Sequence, residues 1–216
     1  MSKGEKDISL HKNDEDQAQF WEDIYLADDT GWDLNGPTPV FEHIAESLEP
    51  RRLCIIGCGR GYDAIMFAKK GFDVTAVDFA PSAISALNEL IKEQVVDVNA
   101  VQRDIFSLVP EFFRSFDYII EQTCFCAIHP IRRGEYEVLV KELLKPGGRL
   151  IGLWFPLDKD LKEGGPPYGT TIDEVKSVFN VGWEIEKEEF PDLSIEPRKN
   201  REKLIIFKKI NEIKYV

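Results

Sequence analysis

Short apolar runs alternate along this chain with longer stretches whose apolar residues recur at helical spacing, a rhythm that predicts alternating strands and helices. Residues 53–56 read as a buried parallel strand, 64–70 as a helix stopped by Gly71, and 72–77 as a second strand. Then follow a helix over 82–94, strands over 98–102 and 116–120, a helix over 132–144 ended by Pro146, Gly147 and Gly148, and a strand over 149–155. A helix over 171–179 precedes two strands, 183–190 and 202–208, with no crossover helix between them, so they pair antiparallel. The result is an α/β fold, a doubly wound seven-stranded sheet with an antiparallel edge strand, whose ligands bind outside the carboxyl ends of the strands. Phe20, Trp21, Ile24 and Tyr25 predict a short amphipathic helix before the sheet, and 40–48 a second. The first 17 residues are charged and polar without an apolar period, so a disordered arm is expected, with 18–216 a single domain.

The first strand runs into LCIIGCGRGYD, with Gly57, Gly59 and Gly61 at alternate positions. Such spacing turns the chain sharply and lets a bulky ligand approach the backbone. A dinucleotide site needs its third glycine one position later, where Tyr62 stands; GxGxG suits S-adenosylmethionine (SAM), which has no pyrophosphate to rest on a helix N-terminus. Asp78 ends the second strand, placed to accept both ribose hydroxyls, or alternatively to cap the helix opened by Pro81 and Ser82. Asp104 is placed to accept from an adenine amino group, with Ile105 and Phe106 against the base; a turn residue before a core pair is the other reading.

Glu121 either steadies the sulfonium or amino group of the cofactor or caps the segment after the fourth strand. Trp21, Trp32, Phe125, Trp154 and Tyr168 are candidates for an aromatic-lined pocket, since aromatic faces attract a sulfonium, or for ordinary core. Trp32 stands out because glycines and prolines bound its segment. Gly164, Gly165, Pro166, Pro167 and Tyr168 form a loop that reads as a lid or as a surface turn.

A net charge of −12 argues against a nucleic-acid partner and leaves a small-molecule or small-anion substrate. The basic stretch 198–209 is the exception, read as a solvated strand edge guarded by lysines. No run is long and apolar enough for a membrane span, and no signal-peptide pattern opens the chain, so a cytoplasmic monomer is expected. Cys54, Cys58, Cys124 and Cys126 read as buried small hydrophobes rather than disulfide partners or metal ligands, and no metal is expected. His11, His43 and His129 have no partnered arrangement, and no nucleophilic triad or catalytic side chain is legible.

Taken together, FWEDIY…GWDLNGPTPVFEHI, IIGCGRGYDA, EQTCFCAIHPIRRGEY, LLKPGGRL, GGPPYGTT and EPRKNREKLIIFKK resemble the thiopurine methyltransferase superfamily, and within it the thiol and halide methyltransferases of plants and bacteria. The family's TPWD segment reads Thr30–Gly31–Trp32–Asp33 here, with one neighbour of the tryptophan changed. The resemblance implies a class I, Rossmann-like methyltransferase that yields S-adenosylhomocysteine, with cofactor contacts at Trp21, Trp32, Gly57, Asp78, Asp104, Ile105 and Glu121. It implies transfer by direct in-line displacement to a thiol, hydrosulfide, thiocyanate or halide, with Phe125, Cys126, Trp154, Pro156 and Tyr168 as acceptor-pocket candidates. The alternatives are an aromatic thiopurine or other small metabolite as acceptor, and a SAM-binding protein without turnover.

Overall fold

A computed structural model describes residues 14–210. Its elements are α1 (Ala18–Leu26), α2 (Pro39–Ala45), β1 (Arg52–Ile56), α3 (Tyr62–Lys69), β2 (Asp73–Asp78), α4 (Pro81–Gln94), β3 (Asn99–Gln102), β4 (Phe116–Gln122), α5 (Arg133–Leu143), β5 (Leu144–Trp154), α6 (Ile172–Val178), β6 (Trp183–Glu189) and β7 (Lys203–Lys209). They build one seven-stranded sheet in the order β3-β2-β1-β4-β5-β7-β6. The first five strands pair in parallel, and β7 runs antiparallel to both β5 and β6.

Leu53 to Ile56 are buried without alternation because helices cover both faces of a parallel sheet. On one face α2, α3 and α4 pack Phe41, Phe67 and Leu87 against Leu53 and Ile55; on the other, Tyr136 and Leu139 of α5 meet Ile56, Ile119 and Trp154. The strand order reverses between β1 and β4, which opens a crevice at their carboxyl ends.

Three expectations change. The basic stretch is not a sheet edge: β7 lies between β5 and β6, and Arg198 is buried. The edge on that side is β6, whose exposed middle is charged. Strand β5 starts earlier than predicted, because Leu144 already pairs with Phe116 and the register shifts before Arg149 meets Tyr118. The expected disordered arm falls largely outside the described residues, but its last part, Asp14–Asp16, forms a 3-10 turn. Among the described residues no helix is long and apolar enough to cross a membrane.

Candidate active site

A cavity of about 690 Å³ opens where β1, β2 and β4 end. Its walls come from the 3-10 turn with α1, the segment after α1, the loops after β1 to β5, and the segment between β6 and β7.

The glycine loop shapes the floor. Gly57 has φ of +63°, and a Cβ there would lie 3.0 Å from the Cβ and Sγ of Cys124, so the loops after β1 and β4 approach only because it has no side chain. Gly61 serves packing: its Cβ would meet Leu87 of α4 at 2.4 Å. Gly59 and Gly61 line a smaller cavity of about 60 Å³ that shares Trp32, Asp33, Leu34, Gly57 and Thr123 with the large one.

Asp78 faces the cavity and braces the loops around it, but it does not cap α4, whose N-cap is Ala80 and whose Ser82 N–H donates to Glu22. The Asp78 Oδ2 accepts from Gly59 N at 2.9 Å and its Oδ1 from Ala80 N at 3.0 Å. Burial pushes its carboxyl above the usual range, against the backbone N–H groups that favour the charged form. Each carboxylate oxygen keeps a second acceptor site beyond these two bonds. Asp104 serves as the turn residue, accepting from Phe106 N at 3.0 Å, and stands on the cavity wall with Ile105 and Phe106. The Arg132 guanidinium lies 3.9 Å from the centre of the Phe106 ring and pairs with Asp16 of the 3-10 turn.

Trp21 and Trp32 line the cavity edge to face, 5.6 Å apart. Tyr25, to which the sequence pattern gives only a helix position, joins them, 5.7 Å from Trp32. Its position one helical turn after Trp21 was the available signal.

Other predicted site residues lie elsewhere. Glu121 is not on the cavity wall: its Oε1 accepts from Cys124 N and Phe125 N at 3.1 and 2.9 Å, and its Oε2 from the Tyr136 hydroxyl. It is the buried cap of the 3-10 turn Phe125–Ala127. Phe125 and Trp154 pack in the core, 5.1 Å apart, and neither lines the cavity. Cys126 does, while Phe155 takes the wall place expected of its neighbours Trp154 and Pro156. Tyr168 faces inward behind Pro166 and Pro167, which do line the cavity; its N–H donates to Cys126 O at 2.7 Å and its hydroxyl to Glu15. With Lys159 Nζ also donating to Pro167 O at 2.7 Å, the loop is tethered rather than a free surface turn.

Two consequences are measurable. Trp154→Ala is expected to cost about 3–5 kcal/mol of stability through a core cavity, read by denaturant unfolding; a loss under 1 kcal/mol would contradict the core placement. Burial raises the Glu121 carboxyl from 4.5 to about 7, against its three donors. Between those values the folded protein binds more protons than the unfolded chain, so this group's contribution falls as pH rises, by roughly 3 kcal/mol in all. Glu121→Gln removes that loss, so its stability relative to wild type should improve by about that amount from pH 4 to pH 8. A pH-independent difference between the two unfolding curves would refute it.

The arrangement fits an adenosyl sulfonium: a carboxylate for ribose, apolar residues beside Asp104 for the base, and aromatic faces for the positive sulfur. The sequence profile of the thiopurine S-methyltransferase family matches residues 16–214. The chain belongs to that family. As a family member it is a SAM-dependent methyltransferase. It is 34% identical over 209 residues to the probable thiol methyltransferase 2 of Arabidopsis thaliana, covering 94% of this chain and 91% of the relative. To the thiocyanate methyltransferase 1 of the same plant it is 33% identical over 207 residues, covering 94% and 88%. The fold matches the Burkholderia thailandensis 1,6-didemethyltoxoflavin-N1-methyltransferase, solved with S-adenosylhomocysteine, at a TM-score of 0.71 and 20% identity, over 90% of this chain and 87% of that one.

Proposed function

We propose that this methyltransferase acts on a small soft anion: a thiolate, hydrosulfide, thiocyanate or halide. The observation that carries the reading is Arg198. Its guanidinium stands on the cavity wall near the Glu202 carboxylate, Nη2 donates to Trp32 O at 2.7 Å, and Nη1 is buried with no hydrogen-bond partner among the described residues. Burial lowers its pKa, yet an arginine stays charged in proteins. A cation with an unspent donor, beside Cys126, Ile128 and Phe155, is a place for an anion in largely apolar surroundings. The plant relatives, named for thiol and thiocyanate methylation, support the same class.

Trp21, Tyr25, Trp32, Gly57, Asp78, Asp104, Ile105 and Phe106 would hold the cofactor, and Glu121 would act behind them by ordering Cys124 and Phe125. The cofactor supplies, when bound, a methyl group activated on a sulfonium. The chain's own part is then to hold the acceptor through Arg198, to fix its direction between Cys126 and Phe155, and to exclude water with Pro166 and Pro167. Orientation of this kind contributes up to about 7–11 kcal/mol. A soft acceptor that arrives ionised needs no base, in keeping with a wall whose described residues include no histidine. The carboxylates of Glu15, Asp16, Asp33, Asp78 and Asp104 are also engaged by neighbours.

The four cysteines are all free, which suits a reducing compartment such as the cytoplasm, and a cavity formed within one chain suits a monomer. The test is headspace chromatography of purified protein with SAM and, separately, iodide, bromide, chloride, thiocyanate and hydrosulfide, beside a thiopurine panel. Volatile methylated products are expected from the anions. Methylation of thiopurines alone would overturn the reading and favour an aromatic thiol, which the size of the cavity admits.

A further inference from the structure

The wall that carries Trp32 is outside the sheet. Between α1 and α2 the chain has no regular structure, yet it supplies Asp29, Gly31, Trp32, Asp33 and Leu34 to the cavity. Something must hold it against the glycine loop. The contact is Arg60, from the middle of that loop: Nε pairs with Asp33 Oδ2 at 3.1 Å, and Nη2 with Asp28 Oδ1 at 2.8 Å. The Asp33 side chain is only 9% exposed, and its Oδ1 accepts from Asn35 N at 2.7 Å, so this carboxylate also shapes the turn after Trp32. The Asp28 contact has hydrogen-bond geometry, but that side chain is 83% exposed and its pair is screened by solvent, leaving the buried Asp33 carboxylate as the stronger anchor.

We infer that Arg60 is a positioning residue for the cofactor: by clasping Asp33 and Asp28 it draws the Trp32 segment over the glycine loop and so completes the aromatic side of the cofactor site. The residue touches cofactor only through this segment. Two arginines thereby fasten the tryptophan, Arg60 through the flanking carboxylates and Arg198 through the Trp32 carbonyl. Nothing in the GxGxG spacing requires an arginine at this position; the loop's turns need only its glycines. The charge is therefore available for a second task, which is to tie a distant segment to the loop.

The inference rests on placing the cofactor in the large cavity, and that placement is tested separately by S-adenosylhomocysteine binding to wild type and to the Asp78 variant. The experiment here is a double-mutant cycle of Arg60→Gln and Asp33→Asn, with S-adenosylhomocysteine affinity read by calorimetry and Trp32 exposure read without ligand. Trp32 is followed by acrylamide quenching in a Trp21→Phe background, because Trp154 and Trp183 are buried. Arg60→Gln is expected to weaken binding roughly 5- to 30-fold and to raise quenching of the ligand-free protein, and Asp33→Asn to do the same, with the double variant little worse than either. Asp28→Asn should change affinity by less than about threefold. Arg60→Lys, which can still pair with Asp33, should recover part of both signals. In turnover the change should fall on KM for SAM rather than on kcat. Should Arg60→Gln fold poorly by circular dichroism, Asp33→Asn and Arg60→Lys carry the same comparison. Additive losses in the cycle, or full affinity with unchanged quenching in Arg60→Gln, would overturn the assignment.

Discussion

Asp78→Ala is expected to weaken S-adenosylhomocysteine binding by a factor of roughly a hundred or more. Two ribose hydroxyls donating to one carboxylate are charge-assisted hydrogen bonds of about 1.5–3 kcal/mol each, and alanine removes both. The structure adds a second effect. The same carboxylate holds Gly59 N and Ala80 N, so alanine leaves two loop N–H groups without their partner and should also cost about 1–3 kcal/mol of stability. Asp78→Asn separates the effects, because its amide oxygen still accepts one of those bonds while the charge is gone. Calorimetry against S-adenosylhomocysteine and denaturant unfolding of both variants check the pair of effects. Affinity within twofold of wild type in Asp78→Ala would remove the ribose assignment.

Arg198→Gln should have the next largest effect, and on the other substrate. Losing a buried cation that pairs with an anionic acceptor costs about 2–5 kcal/mol, a fall in kcat/KM for thiocyanate or hydrosulfide of roughly 30- to several-thousand-fold. Cofactor affinity should change much less, since the link from Arg198 to the cofactor wall is one hydrogen bond to the Trp32 carbonyl. Arg198→Lys keeps the charge but not the fork that reaches Trp32 O and the cavity together, and should fall between the two. Initial rates at saturating SAM with varied acceptor, plus calorimetry, measure both quantities. An unchanged acceptor profile would place the anion elsewhere in the cavity.

The strand and helix rhythm was readable because a parallel sheet buries its strands on both faces and leaves them continuously apolar, as in β1 and β2. The glycine loop and Asp78 were readable because they are neighbours in one βαβ unit, where spacing along the chain nearly equals placement in space. Trp154 and Phe155 show where this ends. They differ by one position, and the pairing of Trp154 with Lys203 at the end of β5 puts Trp154 into the core and leaves Phe155 on the cavity wall. Neither composition nor aromatic character separates the two.

By itself, then, the sequence determined the doubly wound sheet, the cofactor class and the acid that ends β2, all of which follow from local periodicity and from what glycine and aspartate permit. Only the tertiary structure decided that Glu121 turns inward to cap a buried turn, that Tyr25 joins the aromatic wall, and that Arg198 is a buried wall cation rather than a surface charge. The physical reason is common to these cases. Which way a side chain faces depends on partners brought together from distant parts of the chain: Tyr136 for Glu121, Trp32 for Tyr25 and again for Arg198.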